Sequence, residues 1–184
     1  HRFADTDADW VVQIRPNELS LLCNRYTRWE EARSRFQKLL SSFWDLYEPS
    51  KIKRVGLLYQ DVFEKVGEES PEVWREYFRD ELVALFANPT LGPFVQAGGQ
   101  RIILEHDDHE IVLSGTVRTG TTEDGEPGQR FDLDFDMFHR DLSIDPMEAY
   151  ELLEEYHDTL IGLFEWSITD KLRDDMNPEE VTDD

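Results

Sequence analysis

Between Arg130 and Phe138 the chain reads RFDLDFDMF, and this strict alternation constrains the fold more than any other stretch. A period of two belongs to a strand: Phe131, Leu133, Phe135 and Met137 fall on one side, and Asp132, Asp134 and Asp136 on the other. The first side suits a core. The second is a row of carboxylates about 6.6 Å apart, left to meet water, cations or a partner. At that spacing neighbouring carboxylates repel by about 2.5 kcal/mol at an effective dielectric of 20. Arginines on flanking strands are the simplest remedy, and Arg54, Arg101 and Arg118 are placed to supply it.

Turn signals cut the surrounding sequence into a meander. Strands over 100–106, 109–118 and 129–139 are separated by Asp107-Asp108 and by a segment holding Asp124-Gly125 and Pro127-Gly128. Upstream, Trp10, Val12 and Ile14 alternate as far as Pro16-Asn17, and Leu19, Leu21 and Cys23 alternate back, which predicts a hairpin over 9–24. A further strand over 51–65 contains Gly56, where the missing side chain implies close approach, with a helix over 27–48 as the expected neighbour.

That helix is predicted from a capping box, Thr27 with Glu30, followed by Trp29, Ala32, Phe36, Leu39, Leu40, Phe43 and Tyr47. Ser70-Pro71-Glu72 opens one or two short helices that end before Pro89. Asp145-Pro146-Met147-Glu148 then combines an Asp cap, Pro at the first helical position and Glu two positions later. The apolar spacing from Leu152 to Leu172 extends that helix to about 30 residues. The predicted fold class is α+β, a mostly antiparallel sheet of about five or six strands with two long amphipathic helices packed on one face. The expected extent is a single domain over 1–176 that lacks an N-terminal strand, followed by an acidic, disordered tail over 177–184.

Several pieces of this pattern resemble a known family. They are Trp10, the YTRW of 26–29, the RVGLLYQD of 54–61, the LDFDMF of 133–138, and His157 with Phe164, Glu165, Ile168 and Thr169. Together they are similar to a sporadically distributed family of uncharacterised bacterial proteins. Leu58 stands where that family usually has a second arginine, and Gln60-Asp61 replaces an apolar residue and an asparagine. The resemblance implies the fold and a bacterial, cytoplasmic setting, and it implies no activity.

Charge is uneven along the chain. The net charge is −22, yet residues 1–66 hold 10 acids and 11 bases while residues 67–184 hold 31 acids and 8 bases. Nucleic acid would be repelled by the second part, so no direct nucleic-acid contact is expected at the acidic face. No run approaches the ~18 apolar residues of a membrane span, so a membrane partner is not expected either. The single cysteine, Cys23, rules out an internal disulfide and multi-cysteine zinc motifs.

Catalytic signatures are absent from the sequence. It has no Gly-x-Ser-x-Gly, no His-Glu-x-x-His and no phosphate-cradling glycine loop, and His139-Arg140-Asp141 lacks the companions of a kinase catalytic loop. No catalytic residue, metal ligand or cofactor is assigned. The candidate binding residues are Asp132, Asp134, Asp136, Arg54, Tyr59, Tyr156 and His157. Three functions are consistent with them. The first is a non-catalytic protein-interaction module with a strongly acidic surface, its partner another protein or a second copy in a homodimer. The second is a small-ligand sensor with a pocket between sheet and C-terminal helix, lined by Tyr59, Phe138 and Tyr156. The third is a metal-dependent hydrolase using Asp134, Asp136 and one of His106, His109 and His139, although acids at i, i+2 and i+4 of a flat strand spread over about 13 Å and do not converge on one ion.

Overall fold

The structure, a computed structural model, describes residues 1–67, 70–106, 108–121 and 125–176; Asp107, Asp124 and the segment 177–184 lie outside the described residues. The protein is α+β, and among the described residues its strands pair antiparallel in two sheets, one of three strands and one of four. The chain divides into two compact units, 1–53 with 141–154, and 54–140 with 155–184.

The first unit holds the sheet β1-β2-β3, made of Arg2–Ala4, Trp10–Arg15 and Glu18–Cys23, together with helix α1, Trp29–Tyr47. The predicted hairpin is present, with Trp10 opposite Cys23 and Arg15 opposite Glu18. Pattern reading missed β1, a three-residue strand held by pairing with β2. The capping box at Thr27 is not formed: Arg28 occupies the cap position and provides no side-chain bond. Instead, the first turns of α1 are anchored through tertiary contacts, since Trp29 Nε1 donates to Glu154 Oε2 at 3.2 Å and Arg33 binds both Tyr150 and Glu154.

The second unit is built on four strands in the order β4-β7-β6-β5, with β4 at Ile52–Val66, β5 at Ala97–His106, β6 at His109–Thr121 and β7 at Pro127–Ile144. The predicted meander is β5-β6-β7, and RFDLDFDMF lies in its last strand. β4 runs antiparallel beside β7: Gly67 N–H donates to the Pro127 carbonyl at one end, and at the other the Gly56 backbone lies against Phe138. A Cβ added at Gly56 would stand 3.2 Å from the Phe138 Cβ and 3.3 Å from Arg54. The close approach at Gly56 therefore comes from the adjoining strand and not from helix α1.

The inner face of this sheet is the core. Phe131, Leu133, Phe135 and Met137 are all buried, and they meet two groups of side chains. One is the segment after β4, where a 3-10 helix, Pro71–Glu76, and a short helix α2, Asp80–Val83, bring Trp74, Phe78 and Phe86 to within 4.5–5.7 Å of the Phe131 ring. The other is the C-terminal helix, whose Phe164 lies edge-on to Phe135. Ser70 caps the 3-10 helix as its position predicted, its hydroxyl accepting from Glu72 N–H.

That C-terminal helix is broken. Helix α3 runs Pro146–Ser167, and α4 follows at Asp170–Met176. The interruption has a tertiary cause: Ile168 forms a β-bridge with Phe78, Arg79 N–H donates to the Ser167 carbonyl, and Thr169 N–H donates to the Tyr77 carbonyl. The start of α3 is the reciprocal cap expected from sequence. Asp145 Oδ1 accepts from Met147 and Glu148 N–H at 2.8 and 3.0 Å, and Glu148 Oε2 accepts from Asp145 N–H at 3.0 Å. Asp145→Ala is expected to lower stability by about 1 kcal/mol, and Asp145→Asn by less, measured by urea unfolding.

Candidate functional site

Alternation along β7 sends Asp132, Asp134 and Asp136 to the face opposite the core, and cross-strand register decides what surrounds them. On the β6 side Thr116 stands opposite Asp132, Ser114 opposite Asp134 and Val112 opposite Asp136. On the β4 side the same face carries Leu58, Gln60 and Val62, two of them aliphatic and more than half exposed. On β5 it carries Arg101 and Ile103, and Ile103 is 56% exposed. The outer face is thus a half-apolar surface with a line of carboxylates along its middle.

The three acids have different environments. Asp132 is neutralised from its own strand, accepting from Arg130 Nε at 2.7 Å; Arg130 also lies 4.0 Å from Glu64. Asp134 accepts a long hydrogen bond, 3.4 Å, from Gln60 Nε2. Asp136 has Arg54 at 3.9 Å, and the Arg54 guanidinium lies over the Phe138 ring at 4.5 Å, with Arg140 against the same ring at 4.7 Å. Partial burial raises the pKa of both Asp134 and Asp136. For Asp134 the Gln60 bond opposes this and the Asp132 charge adds to it; for Asp136 the charges of Arg54, Arg101 and Arg140 oppose it.

Of the three arginines proposed from sequence, Arg54 reaches the row, Arg101 acts on it only through its field, and Arg118 stands opposite Arg130 in the ladder. Arg130 and Gln60 were missed as partners. Arg130 was findable, because i and i+2 share a face of a strand; Gln60 depends on the β4–β7 register, which no local pattern reports.

The remaining candidates lie on the inner side. Tyr59 Oη is 2.9 Å from His157 Nδ1, and Tyr156 Oη is 3.4 Å from His109 Nδ1. His109 also meets the edge of the His139 ring and lies 3.4 Å from the Glu155 carboxylate. Burial, together with the Glu155 charge, pushes the Tyr156 phenol up to about 12, so it remains a neutral hydrogen-bonding group. These pairs tie helix to sheet. Phe138 projects to the outer face beside Arg54, so it does not share a pocket with Tyr59 and Tyr156; on the inner side Leu133 and Phe135 of β7 and Tyr156 and Leu160 of α3 are all buried.

One inner-face residue was not singled out from sequence. Asp61 lies on β4 between Tyr59 and Phe63, and burial, with a contribution from the Asp134 charge, raises its pKa to about 6. Its signal was present as a charged residue at an apolar position of an alternating strand.

Among the described residues, no three His, Cys, Asp or Glu side chains are grouped so as to hold a metal ion. A groove of about 790 Å³ in the first unit is lined by Phe3, Trp10 and Leu21 and by Arg28, Arg35 and Lys38, but Asp5, Glu30 and Glu31 share its wall and Arg35 is paired with Glu31. Its charges offset one another and select no ligand class. Among the described residues, no helix is long and apolar enough to cross a membrane. Comparison with family models, with curated proteins and with solved structures finds no match to the chain.

Proposed function

We propose that the outer face of the four-stranded sheet is a protein-docking surface and that the chain is a non-catalytic interaction module for a basic partner. The observation that carries this is the setting of Asp134 and Asp136. They are partly desolvated carboxylates, they share their face of the sheet with the exposed aliphatic chains of Leu58, Val62 and Ile103, and their nearest donors are a 3.4 Å Gln60 contact and a 3.9 Å arginine contact. A surface that served solubility alone would hold its acids in water, where they cost nothing. Here an incoming arginine would restore charge pairing in a half-apolar setting, where charge-assisted bonds are stronger than at a fully wet surface. The apolar neighbours would supply contact area around it.

A labelled peptide alternating arginine with valine provides the test, by fluorescence anisotropy against the whole chain. Asp134→Lys with Asp136→Lys is expected to weaken binding at least tenfold. Glu151→Lys with Asp158→Lys, the same charge change on exposed positions of α3, is expected to change it less than threefold. Binding is also expected to weaken as salt rises. It should weaken too as pH falls, beginning at higher pH than for ordinary carboxylates, because both Asp134 and Asp136 take up a proton earlier. Equal losses from the two double variants would show that only net charge matters and would sink the proposal.

A further inference from the structure

We infer that β5 is a self-association edge, through which two copies of the chain pair antiparallel about a two-fold axis at Ile103. The inference is independent of the docking role of the acid row. Among the described residues β5 ends the sheet, and five consecutive residues, Arg101, Ile102, Ile103, Leu104 and Glu105, are all exposed there, the three in the middle being large aliphatics. Free edges are ordinarily guarded by lysine, proline or a bulge. The opposite edge strand, β4, carries Lys53 and Lys65, whereas β5 has neither Lys nor Pro and its pairing to β6 runs without a bulge from Ala97 to His106.

What identifies the occupant as a second copy is that this edge is complementary to itself. With Ile103 opposite its own counterpart, Arg101 of each chain faces Glu105 of the other and Ile102 faces Leu104. The two ion pairs form on one face of the extended sheet and the aliphatic pairs on the other, as alternation requires. Moving the axis to Ile102 sets Glu105 opposite Gly99, and moving it to Leu104 sets Glu105 opposite Ile103, so either shift loses the Arg101–Glu105 pairs.

Hydrogen-bond phase agrees with this register. Thr119 N–H donates to the Gln96 carbonyl at 2.9 Å, and residue 96 opposite 119 continues the β5–β6 ladder, so the even positions of β5 bond inward to β6. The N–H and C=O of Arg101, Ile103 and Glu105 therefore point out of the edge. In an antiparallel ladder, alternate residue pairs exchange two bonds each, and the register chosen by charge places these outward-pointing residues in such pairs. Repulsion between two chains of net charge −22 opposes the association, but beyond about 8 Å it is largely screened at 0.15 M salt.

The test uses the whole chain in 0.15 M salt, by sedimentation velocity and native mass spectrometry. Wild type is expected to form a concentration-dependent dimer. Arg101→Glu alone and Glu105→Arg alone each place like charges opposite one another twice, and each is expected to raise the dissociation constant at least tenfold. Mixing these two single variants is expected to restore a dimer that is heterodimeric by mass, because every pair across the edge is then of opposite sign. Both positions are exposed, and thermal melts should confirm that each variant stays folded. A wild type monomeric up to 100 µM, a dimer indifferent to both reversals, or a mixture that forms no heterodimer would each overturn the inference.

Discussion

Phe131→Ala is expected to lower the stability of the second unit by about 3–5 kcal/mol, the largest single effect anticipated in this chain. Phe131 is fully buried and is touched by Trp74, Phe78 and Phe86, with the Phe78 ring only 4.5 Å away. On its sheet side Gly115 lies so close that an added Cβ would stand 3.0 Å from the ring. A sheet below and helices above cannot collapse far into the space left, so the loss includes a cavity as well as transfer energy. The melting temperature of that unit should fall by about 10 °C. Trp74→Phe is an informative contrast. Trp74 is equally buried, but among the described residues its indole N–H meets no hydrogen-bond partner, and a buried unsatisfied donor costs about 1–3 kcal/mol. Phenylalanine loses ring area and also removes that cost, so the net change is expected within about 1 kcal/mol. If both variants were equally damaging in calorimetry, the cluster would depend on the indole itself.

Asp61 provides the second large effect, and its sign is opposite. Its carboxyl rises from 3.8 to about 6 on folding, first because burial strips water from the charge and then because of Asp134. A raised carboxylate pKa means that the folded chain binds more protons than the unfolded chain between those two values. The contribution of Asp61 therefore becomes less favourable as pH rises through the window from about 4 to 6, and it is fully unfavourable above it. Asp61→Asn is expected to stabilise the protein by about 1–2 kcal/mol at pH 7.5 and to leave stability unchanged near pH 4, somewhat less than the full shift implies because the side chain retains some exposure. Urea unfolding of both proteins at the two pH values checks this. A difference between them that does not vary with pH would mean that Asp61 is not desolvated in solution.

Much of the fold was legible in the sequence because its signals are local. The period-two pattern of RFDLDFDMF assigns inner and outer residues correctly along β7, and the Asp145 cap places the start of α3 through bonds that span no more than three residues. The failures come where a distant segment intervenes. The apolar spacing through Ile168 and Leu172 is continuous, yet the helix breaks at Ile168 because Phe78, 90 positions earlier, offers a backbone bridge. The Thr27–Glu30 box was a valid local signal overridden by contacts of Trp29 and Arg33 with residues near 150. The strands divide between two sheets, a partition that depends on which of them pair across long separations.

The acid row shows the same boundary. From sequence alone it follows that Asp132, Asp134 and Asp136 share a face and that this face is not the core, since alternation is a property of one strand and needs no partner. What stands against each carboxylate was decided by tertiary structure: an arginine from the same strand for Asp132, a glutamine from β4 for Asp134, a more distant arginine for Asp136. Register between strands that lie about 70 residues apart is set by the packing of the whole inner face. Sliding β4 by two positions would keep every residue on its proper side and give each aspartate a different neighbour.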